Sequence, residues 1–391
     1  MDPAVGGSPE GHPQDAPAAD SGLTSVGFKV GLGMANLGFY VASIGVVVVL
    51  LAPDLHLEVG QVAWVGSIFG YGLLVMALAG PALLQLGVNR VLALSAGALG
   101  VGSVLLGLPL GAMPAYVGAI LMGLGAAGLA LVTPKFLHGP GAEAKLTRAN
   151  AAASLSGVAA PLLLGVATLT GLGGRLPLLL MAACMGLLLF AALRSAPEPP
   201  SPRTVDARDA PRVDRGKTLR NWLALVCSVS AEFCFIVWGV VRLTGTGLDA
   251  GSAAVVASSF QVGMALGRVV GPAFIARFPM VAVGTGVGAL GTLMVVLGSS
   301  WQVVGVGQLV AGFGIATLYP ITVARLMATP GLRPELGASF GVLGSGVAIT
   351  IAPTVLALLA GVVDLRVAFL VPIPLLLGVL LLHGRLRPAV T

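Results

Sequence analysis

The feature that most constrains this chain is a succession of about twelve apolar segments, each long enough to cross a bilayer as a helix. A helix needs about 20 mainly apolar residues to span the hydrocarbon. Only 9% of the residues are charged and 57% are hydrophobic, whereas soluble domains carry roughly 25% charged residues. The segments also lack the alternating polarity of membrane strands. The sequence therefore predicts an all-α polytopic membrane protein.

The apolar segments divide six and six about one long polar stretch at 194–220. The predicted organisation is a disordered tail at 1–24, an N-terminal six-helix bundle at 25–193, a linker at 194–220 and a C-terminal six-helix bundle at 221–391. The twelve predicted spans cover approximately residues 27–52, 60–84, 91–109, 114–134, 149–171, 176–193, 221–243, 251–275, 279–298, 302–324, 337–361 and 367–384.

Lys and Arg collect in alternate loops, which predicts the orientation of the chain. With the N-terminus inside, 17 of the 21 cations fall on the inner side, and cytoplasmic loops are enriched in Lys and Arg. We therefore expect a multi-pass protein of the cell membrane with the tail, the linker and the C-terminus in the cytoplasm. The net charge of +6 does not indicate nucleic-acid binding, because the cations lie in the breaks between apolar runs.

The two halves repeat each other in sequence. Residues 67–82, SIFGYGLLVMALAGPA, align without gaps to 258–273, SSFQVGMALGRVVGPA, at an offset of 191. GLGAA at 123–127 and SGVA at 156–159 recur at an offset of 189, as GFGIA and SGVA. Three matches in the same order predict two pseudo-symmetric bundles, in which helices two, four and five correspond to eight, ten and eleven.

The loop between helices two and three contains Gly80, Pro81, Gly87 and Arg90, with Leu84 between the two glycines. With six plus six helices, repeated halves and a basic linker, the chain resembles the major facilitator superfamily of secondary transporters over residues 25–387. That family commonly has glycines and a basic residue at these positions of the loop, and an acid where this chain has Leu84. The resemblance implies a gating role for the loop glycines and Arg90, a small-molecule substrate, and a monomer in the lipid bilayer. It also implies that helices three, six, nine and twelve are peripheral.

Ionisable groups inside predicted spans are the best functional signal, because charge in hydrocarbon is costly. Glu232 lies near the middle of helix seven, where desolvation disfavours the carboxylate and makes proton binding feasible. It is the candidate proton-coupling residue, although a permanently protonated Glu232 that only pins the helix is the alternative. Arg268 in helix eight could bind an anionic substrate, pair with Glu232, or extend toward the interface.

Polar side chains elsewhere in the spans are further candidates. Asn36, Tyr40 and Ser43 form a stripe on helix one that we expect to face the central cavity, and Lys29 continues it as a solvated helix-end residue. Gln261 shares a helix face with Arg268. The remaining cavity candidates, each of which could instead form an interhelical bond or be an aromatic residue at the membrane interface, are Tyr71, Asn150, Ser154, Trp238 and Tyr319.

Other chemistries find no support in the sequence. GLGAAG at 123–128 spells a dinucleotide-binding fingerprint, but it lies inside a predicted span instead of following a strand. The histidines and the three cysteines lack metal-ligand spacing. No nucleophile elbow or phosphate loop is present. We therefore expect no cofactor, no metal and no enzymatic activity.

The leading functional hypothesis is a proton-coupled secondary transporter that moves a small amphipathic or anionic organic compound by alternating access. Export is favoured over uptake for two reasons. The predicted lining of the transport path is apolar, and Pro161 and Gly165 match two positions of the helix-five motif found in antiporters of the family that the chain resembles. One alternative is uptake or facilitated transport of a small anion or polar metabolite with Arg268 as its ligand. Another is a membrane sensor or scaffold that does not transport.

Overall fold

The computed structural model describes residues 25–57, 59–137, 142–195, 213–275 and 278–383. The tail predicted at 1–24 and most of the predicted linker lie outside these ranges. Within them all regular structure is helical, and twelve helices are long and apolar enough to cross a membrane. The prediction of a twelve-helix polytopic protein is therefore confirmed.

We number the spanning helices α1 to α12 in chain order. Short helices at Val59–Val62 and Leu365–Ala368 precede α2 and α12, and a 3₁₀ turn at Leu84–Leu86 follows α2. The spanning helices are α1 Val26–Leu55, α2 Trp64–Leu83, α3 Val88–Gly107, α4 Ala112–Phe136, α5 Ala142–Leu169, α6 Leu176–Arg194, α7 Arg215–Thr244, α8 Ala250–Ile275, α9 Met280–Leu297, α10 Trp301–Ile315 with Leu318–Met327, α11 Pro334–Ala360 and α12 Pro372–His383.

Acidic caps determine where two helices begin. Asp214 accepts a hydrogen bond from the N–H of Lys217, so α7 starts at Arg215, inside the segment predicted as linker. Asp249 accepts from the N–H groups of Gly251 and Ser252 at the start of α8. Hydrogen bonds from Ser252 hold the pKa of Asp249 below its usual range, and those from Lys217 do the same for the pKa of Asp214.

Proline interrupts two spans that the sequence predicts as continuous. Pro320 has no N–H to donate to the carbonyl of Ala316, and α10 turns at Ala316 and Thr317 before it continues. Pro372 stands at the first residue of α12, after the short helix Leu365–Ala368. The hydropathy of the sequence does not reveal these breaks, because the residues on both sides of each break are apolar.

Packing within the two bundles follows one plan. In the N-terminal bundle, α1 packs on α5, α2 on α4, and α3 on α4 and α6. In the C-terminal bundle the same pairs recur six helices later, as α7 with α11, α8 with α10, and α9 with α10 and α12. The pseudo-symmetric arrangement predicted from the sequence repeat is therefore confirmed.

The bundles meet along α2 with α11, α5 with α8, and α1 with α7. Adding six helices to α2–α11 gives α8–α5, so these two contacts are pseudo-symmetric counterparts. We call the end where α6 stops at Arg194 and α7 starts at Arg215 the linker end. Toward the opposite end, Ser67 of α2 hydrogen-bonds Thr354 of α11 across 2.6 Å, and Gly251 of α8 lies against Gly165 of α5.

The repeated glycines lie at close helix contacts within each bundle. A β-carbon on Gly123 of α4 would overlap the carbonyl oxygen of Phe69 on α2, and one on Gly312 of α10 would overlap the carbonyl oxygen of Phe260 on α8. Both glycines and both phenylalanines belong to the repeated segments. Close backbone approach of this kind drives helix association in a bilayer, where burial of apolar surface between helices contributes little.

We predict that Gly312→Ala and Gly123→Ala each lower the free energy of unfolding by about 1–3 kcal/mol, because the added methyl group meets backbone that cannot move aside. The measurement is the melting temperature of the detergent-solubilised protein. The matched control is Gly186→Ala in α6, where a β-carbon meets nothing within 4 Å. Equal melting temperatures for all three variants would contradict the packing account.

Candidate functional site

An ion pair inside the C-terminal bundle forms the centre of the candidate site. Nη2 of Arg268 on α8 lies 3.8 Å from Oε1 of Glu232 on α7. The Glu232 side chain is 13% exposed and that of Arg268 is 37% exposed. The separation exceeds the 2.7–2.9 Å of a direct charge-assisted hydrogen bond. The two charges therefore compensate each other while each keeps room to engage another group.

The same arginine reaches the other bundle. Nη1 of Arg268 donates a hydrogen bond of 3.1 Å to Oγ of Ser154 on α5. One guanidinium thus connects an acid in the C-terminal bundle to a hydroxyl in the N-terminal bundle. Any motion that separates α5 from α8 at this level must break the Arg268–Ser154 bond.

Tyr319 joins the group from the broken helix α10. Its hydroxyl interacts with Ser345 of α11. It also lies close enough to Glu232 and Arg268 to interact electrostatically with both. Tyr319 is the second residue of the segment that restarts after the turn at 316–317, and it is 37% exposed. The helix break therefore places a phenol beside the ion pair.

Gln261 lies two turns along α8 from Arg268, on the same face. Its Oε1 approaches Gly157 of α5, and its side chain contributes to a cavity of about 10 Å³, roughly the space for one water molecule. The other side chains lining this cavity are mainly apolar, and they include Ala42, Pro161, Phe235, Val240 and Phe260. A substrate would need the surrounding helices to separate here.

Asn150 extends the polar line toward the linker end. It precedes Ser154 by one turn of α5, on the face that also carries Gly157 and Pro161, and it is exposed. The structure therefore brings Glu232, Arg268, Ser154 and Tyr319 together, with Gln261 and Asn150 on either side of them.

The polar stripe of Asn36, Tyr40 and Ser43 on α1 does not face the ion pair, contrary to the prediction that it faces the central cavity. Asn36 and Tyr40 are 2% and 0% exposed, and the Tyr40 hydroxyl lies near Ser103 of α3 and Cys184 of α6. The opposite face of α1 meets α5 through Gly38. Asn36 and Tyr40 therefore lie inside the N-terminal bundle, away from the ion pair.

Ser43, the third member of that stripe, is also fully buried and donates to the carbonyl of Tyr40 at 2.8 Å. Two other candidates lie apart from the ion pair. Tyr71 is 51% exposed on α2, in line with exposed Val75 and Leu78. Trp238 is buried and donates from Nε1 to the carbonyl of Pro353 on α11 at 3.2 Å, which is an interhelical bond inside the C-terminal bundle.

The predicted gating loop has a well-defined shape. Gly80 is buried, and a β-carbon there would press on Leu131 of α4. Gly87 has φ of 98°, a conformation that favours glycine, and it connects the 3₁₀ turn to α3. Arg90 is exposed in the first turn of α3. A gating role for these residues stays a prediction.

The sequence reasoning missed two buried cations. Lys29 is 3% exposed, where a solvated residue was expected, and Nζ donates to Asn89 at 3.2 Å and to Ser195 at 2.9 Å. Its position seven residues before Asn36, on the same face, was the available signal. Arg242, which the sequence analysis did not single out, is 1% exposed and donates from Nε to the carbonyl of Val295 at the end of α9, 3.1 Å away.

Among the described residues, no group of three His, Cys, Asp or Glu side chains is arranged to hold a metal ion. The candidate site therefore offers one acid, one guanidinium, hydroxyls and an amide. Such a set can bind a proton and an anion, but the described residues show no acid–base–nucleophile arrangement for covalent chemistry.

Comparison with known proteins identifies relatives by sequence and by fold. The sequence model described as Major Facilitator Superfamily matches residues 30–278. No protein of curated function matches the chain in sequence. Similar solved structures include a POT family transporter in complex with 5-aminolevulinic acid, with TM-score 0.73, 13% identity, and coverage of 92% of this chain and 95% of that one.

Two further solved structures have the same fold. A point mutant of the nucleoside transporter NupG has TM-score 0.69 and 13% identity over 92% of this chain and 100% of its own. The transporter FucP in the outward conformation has TM-score 0.61 and 16% identity over 90% and 98%. At these identities the likeness establishes the twelve-helix fold.

Proposed function

Because this chain belongs to the Major Facilitator Superfamily of membrane transporters, we propose that it is a proton-coupled secondary transporter with Glu232 as its proton-binding group. Its substrate is a small amphipathic or anionic organic compound. The observation that carries the proposal is the chain of contacts from Glu232 through Arg268 to Ser154, which joins the two bundles.

The electrostatics of the ion pair support proton coupling. A charge in hydrocarbon is costly unless a partner or water compensates it. While Glu232 is ionised, it and Arg268 compensate each other. When Glu232 takes up a proton, Arg268 is left with an unbalanced positive charge and gains affinity for an anionic group. Proton binding and anion binding are thereby linked through one guanidinium.

The position of the pair supports alternating access. The bundles pack closely toward the end opposite the linker, where Ser67 bonds Thr354, whereas the polar contact of Arg268 with Ser154 lies nearer the linker end. Rocking of the bundles would exchange this contact for contacts to substrate. The state of Glu232 then decides whether Arg268 holds the acid, the serine or the transported compound.

The proposal also covers the direction of transport, the orientation of the chain in the membrane and its oligomeric state. For an amphipathic compound we favour export, because the side chains that surround Gln261 are largely apolar. An anion that binds together with the proton would instead be driven inward, which is the uptake considered below as the second candidate function. The distribution of cations supports a protein of the cell membrane with the linker end and both termini in the cytoplasm. We propose that the functional unit is a monomer.

We expect Glu232→Gln to reduce flux driven by a pH gradient to the level of protein-free liposomes, because the amide cannot exchange a proton. The measurement is substrate flux into proteoliposomes with and without the gradient. Asp214→Asn is the matched control, since it makes the same carboxyl-to-amide change outside the membrane and Asn caps a helix as well as Asp does. Gradient-driven flux that survives Glu232→Gln would overturn the coupling assignment.

A second candidate function is uptake or facilitated transport of a small organic anion or polar metabolite with Arg268 as its direct ligand. The exposure of the Arg268 side chain and its 3.8 Å distance from Glu232 favour this candidate, since the guanidinium can accept a second anionic partner. In this case Arg268 contributes binding, and proton coupling is not required.

We expect Arg268→Ala to weaken the binding of an anionic substrate by about ten- to a hundredfold, since a hydrogen bond to a charged group contributes about 1.5–3 kcal/mol. Neutral analogues should change little. The measurement is the concentration for half-maximal flux of paired anionic and neutral compounds, with Arg268→Lys as the charge-conserving control. Equal losses for both compounds would show that Arg268 supports the helices and does not bind the substrate.

A further inference from the structure

A second set of basic residues lies away from the ion pair, at the linker end of the C-terminal bundle. It consists of Arg220 in the first turns of α7, Arg325 near the end of α10 and His383 at the end of α12. Three helices that are far apart in sequence thus bring basic residues to one place. We call these three residues the basic corner.

Hydrogen bonds hold the backbone of the basic corner in position. Nη1 of Arg325 donates to the carbonyl of His383 at 2.5 Å. Nδ2 of Asn221, next to Arg220, donates to the carbonyl of Arg325 at 3.2 Å and to Oγ1 of Thr329 at 3.1 Å. The α7, α10 and α12 ends are therefore tied together, and the guanidinium of Arg325 is fixed by one contact that leaves other N–H groups available.

The positive charge of the corner is not balanced within the described residues. Arg220 lies close enough to act on both Arg325 and His383. Neither Arg220 nor Arg325 forms an ion pair with a described residue. The acid at the start of α7, Asp214, pairs with Lys217 at 3.2 Å. His383 is 9% exposed, and its Nδ1 is buried with no hydrogen-bond partner in the described residues. Such a group of donors suits an anion.

The apolar surroundings indicate which anion. Exposed leucines lie on the same two helix ends, within two turns of Arg220 and of His383. They are Leu219 and Leu223 on α7, and Leu377 and Leu381 on α12. A soluble phosphate would gain nothing from these side chains, whereas the acyl chains of a lipid would cover them.

We propose that the basic corner binds the phosphate group of an anionic phospholipid in the leaflet at the linker end. The headgroup phosphate contacts Arg220 and Arg325, and the acyl chains lie along α7 and α12. Basic pockets between helices at a membrane surface bind acidic headgroups in this way. The lipid would stabilise the junction where the linker enters the C-terminal bundle, independently of which substrate is carried.

The test is native mass spectrometry of the full-length protein titrated with phosphatidylglycerol or phosphatidylcholine. We expect wild-type protein to prefer phosphatidylglycerol, and Arg220→Gln with Arg325→Gln to lose about tenfold of that affinity. The matched control, Arg194→Gln with Lys217→Gln, removes two exposed cations from the same end of the molecule and should retain the preference. Equal loss in both double variants would overturn the site.

Two further measurements, one with a single variant and one with inorganic phosphate, test the same site. Arg220→Gln alone alters an exposed side chain and leaves the Arg325–His383 bond intact, so it should reduce the preference for phosphatidylglycerol by several-fold even if the double variant fails to fold. Unchanged binding by this variant would contradict the proposal. Addition of inorganic phosphate tests whether the basic corner prefers a lipid or a soluble anion. Displacement of phosphatidylglycerol by phosphate would show that the corner binds a soluble anion and would contradict the proposed lipid site.

Discussion

The cost of placing charge in hydrocarbon is the constraint on which the functional part of this structure depends. An apolar bundle of twelve helices can hold Glu232 and Arg268 only if they compensate each other or reach water. They lie 3.8 Å apart, close enough to compensate and too far apart for a direct hydrogen bond. That balance leaves Arg268 able to bond Ser154 of the other bundle. A buried pair of this kind contributes little to stability and suits a switch.

The packing of the two bundles is symmetric, but their chemistry is not. Within the aligned segments, Arg268 corresponds to Ala77 and Gln261 corresponds to Gly70. Gly70 allows α2 to lie directly against Thr350 of α11. The α2–α11 contact is therefore close and carries hydroxyl groups, such as those of Ser67 and Thr354, whereas its counterpart between α5 and α8 carries the charged Arg268 and the amide of Gln261. We infer that the first contact serves as the stable hinge surface and the second carries the switch.

Much of this organisation could be predicted from sequence. Hydropathy located twelve spans, the repeat at offsets of 189 and 191 identified the pseudo-symmetry, and intramembrane charge pointed to Glu232 and Arg268. Their contact with each other was an open alternative, because spacing along two helices does not reveal which faces meet. The break in α10 was missed, although Pro320 removes a backbone donor at a definable position.

The polar stripe on α1 shows where sequence reasoning fails. Asn36, Tyr40 and Ser43 lie on one helix face, as predicted, but that face points into the N-terminal bundle. Two faces of such a helix contact protein, one within its bundle and one between bundles, and polarity alone does not distinguish them. Tyr71 is half exposed on α2, and a role for it in the cavity stays a prediction.

The central claim is that the Glu232–Arg268 pair lines a path that water can reach between the bundles. The most direct measurement is labelling of Ser154→Cys by a membrane-impermeant, charged thiol reagent, in protein whose three native cysteines have been replaced. Leu155→Cys is the comparison, because Leu155 is 73% exposed and lies on the helix face opposite Gly157, which meets α1 and α8. Thiols react as thiolates, which form in water and not in lipid. The account predicts labelling of Ser154→Cys from the linker end and none of Leu155→Cys. Labelling of neither residue, or of Leu155→Cys alone, would contradict it.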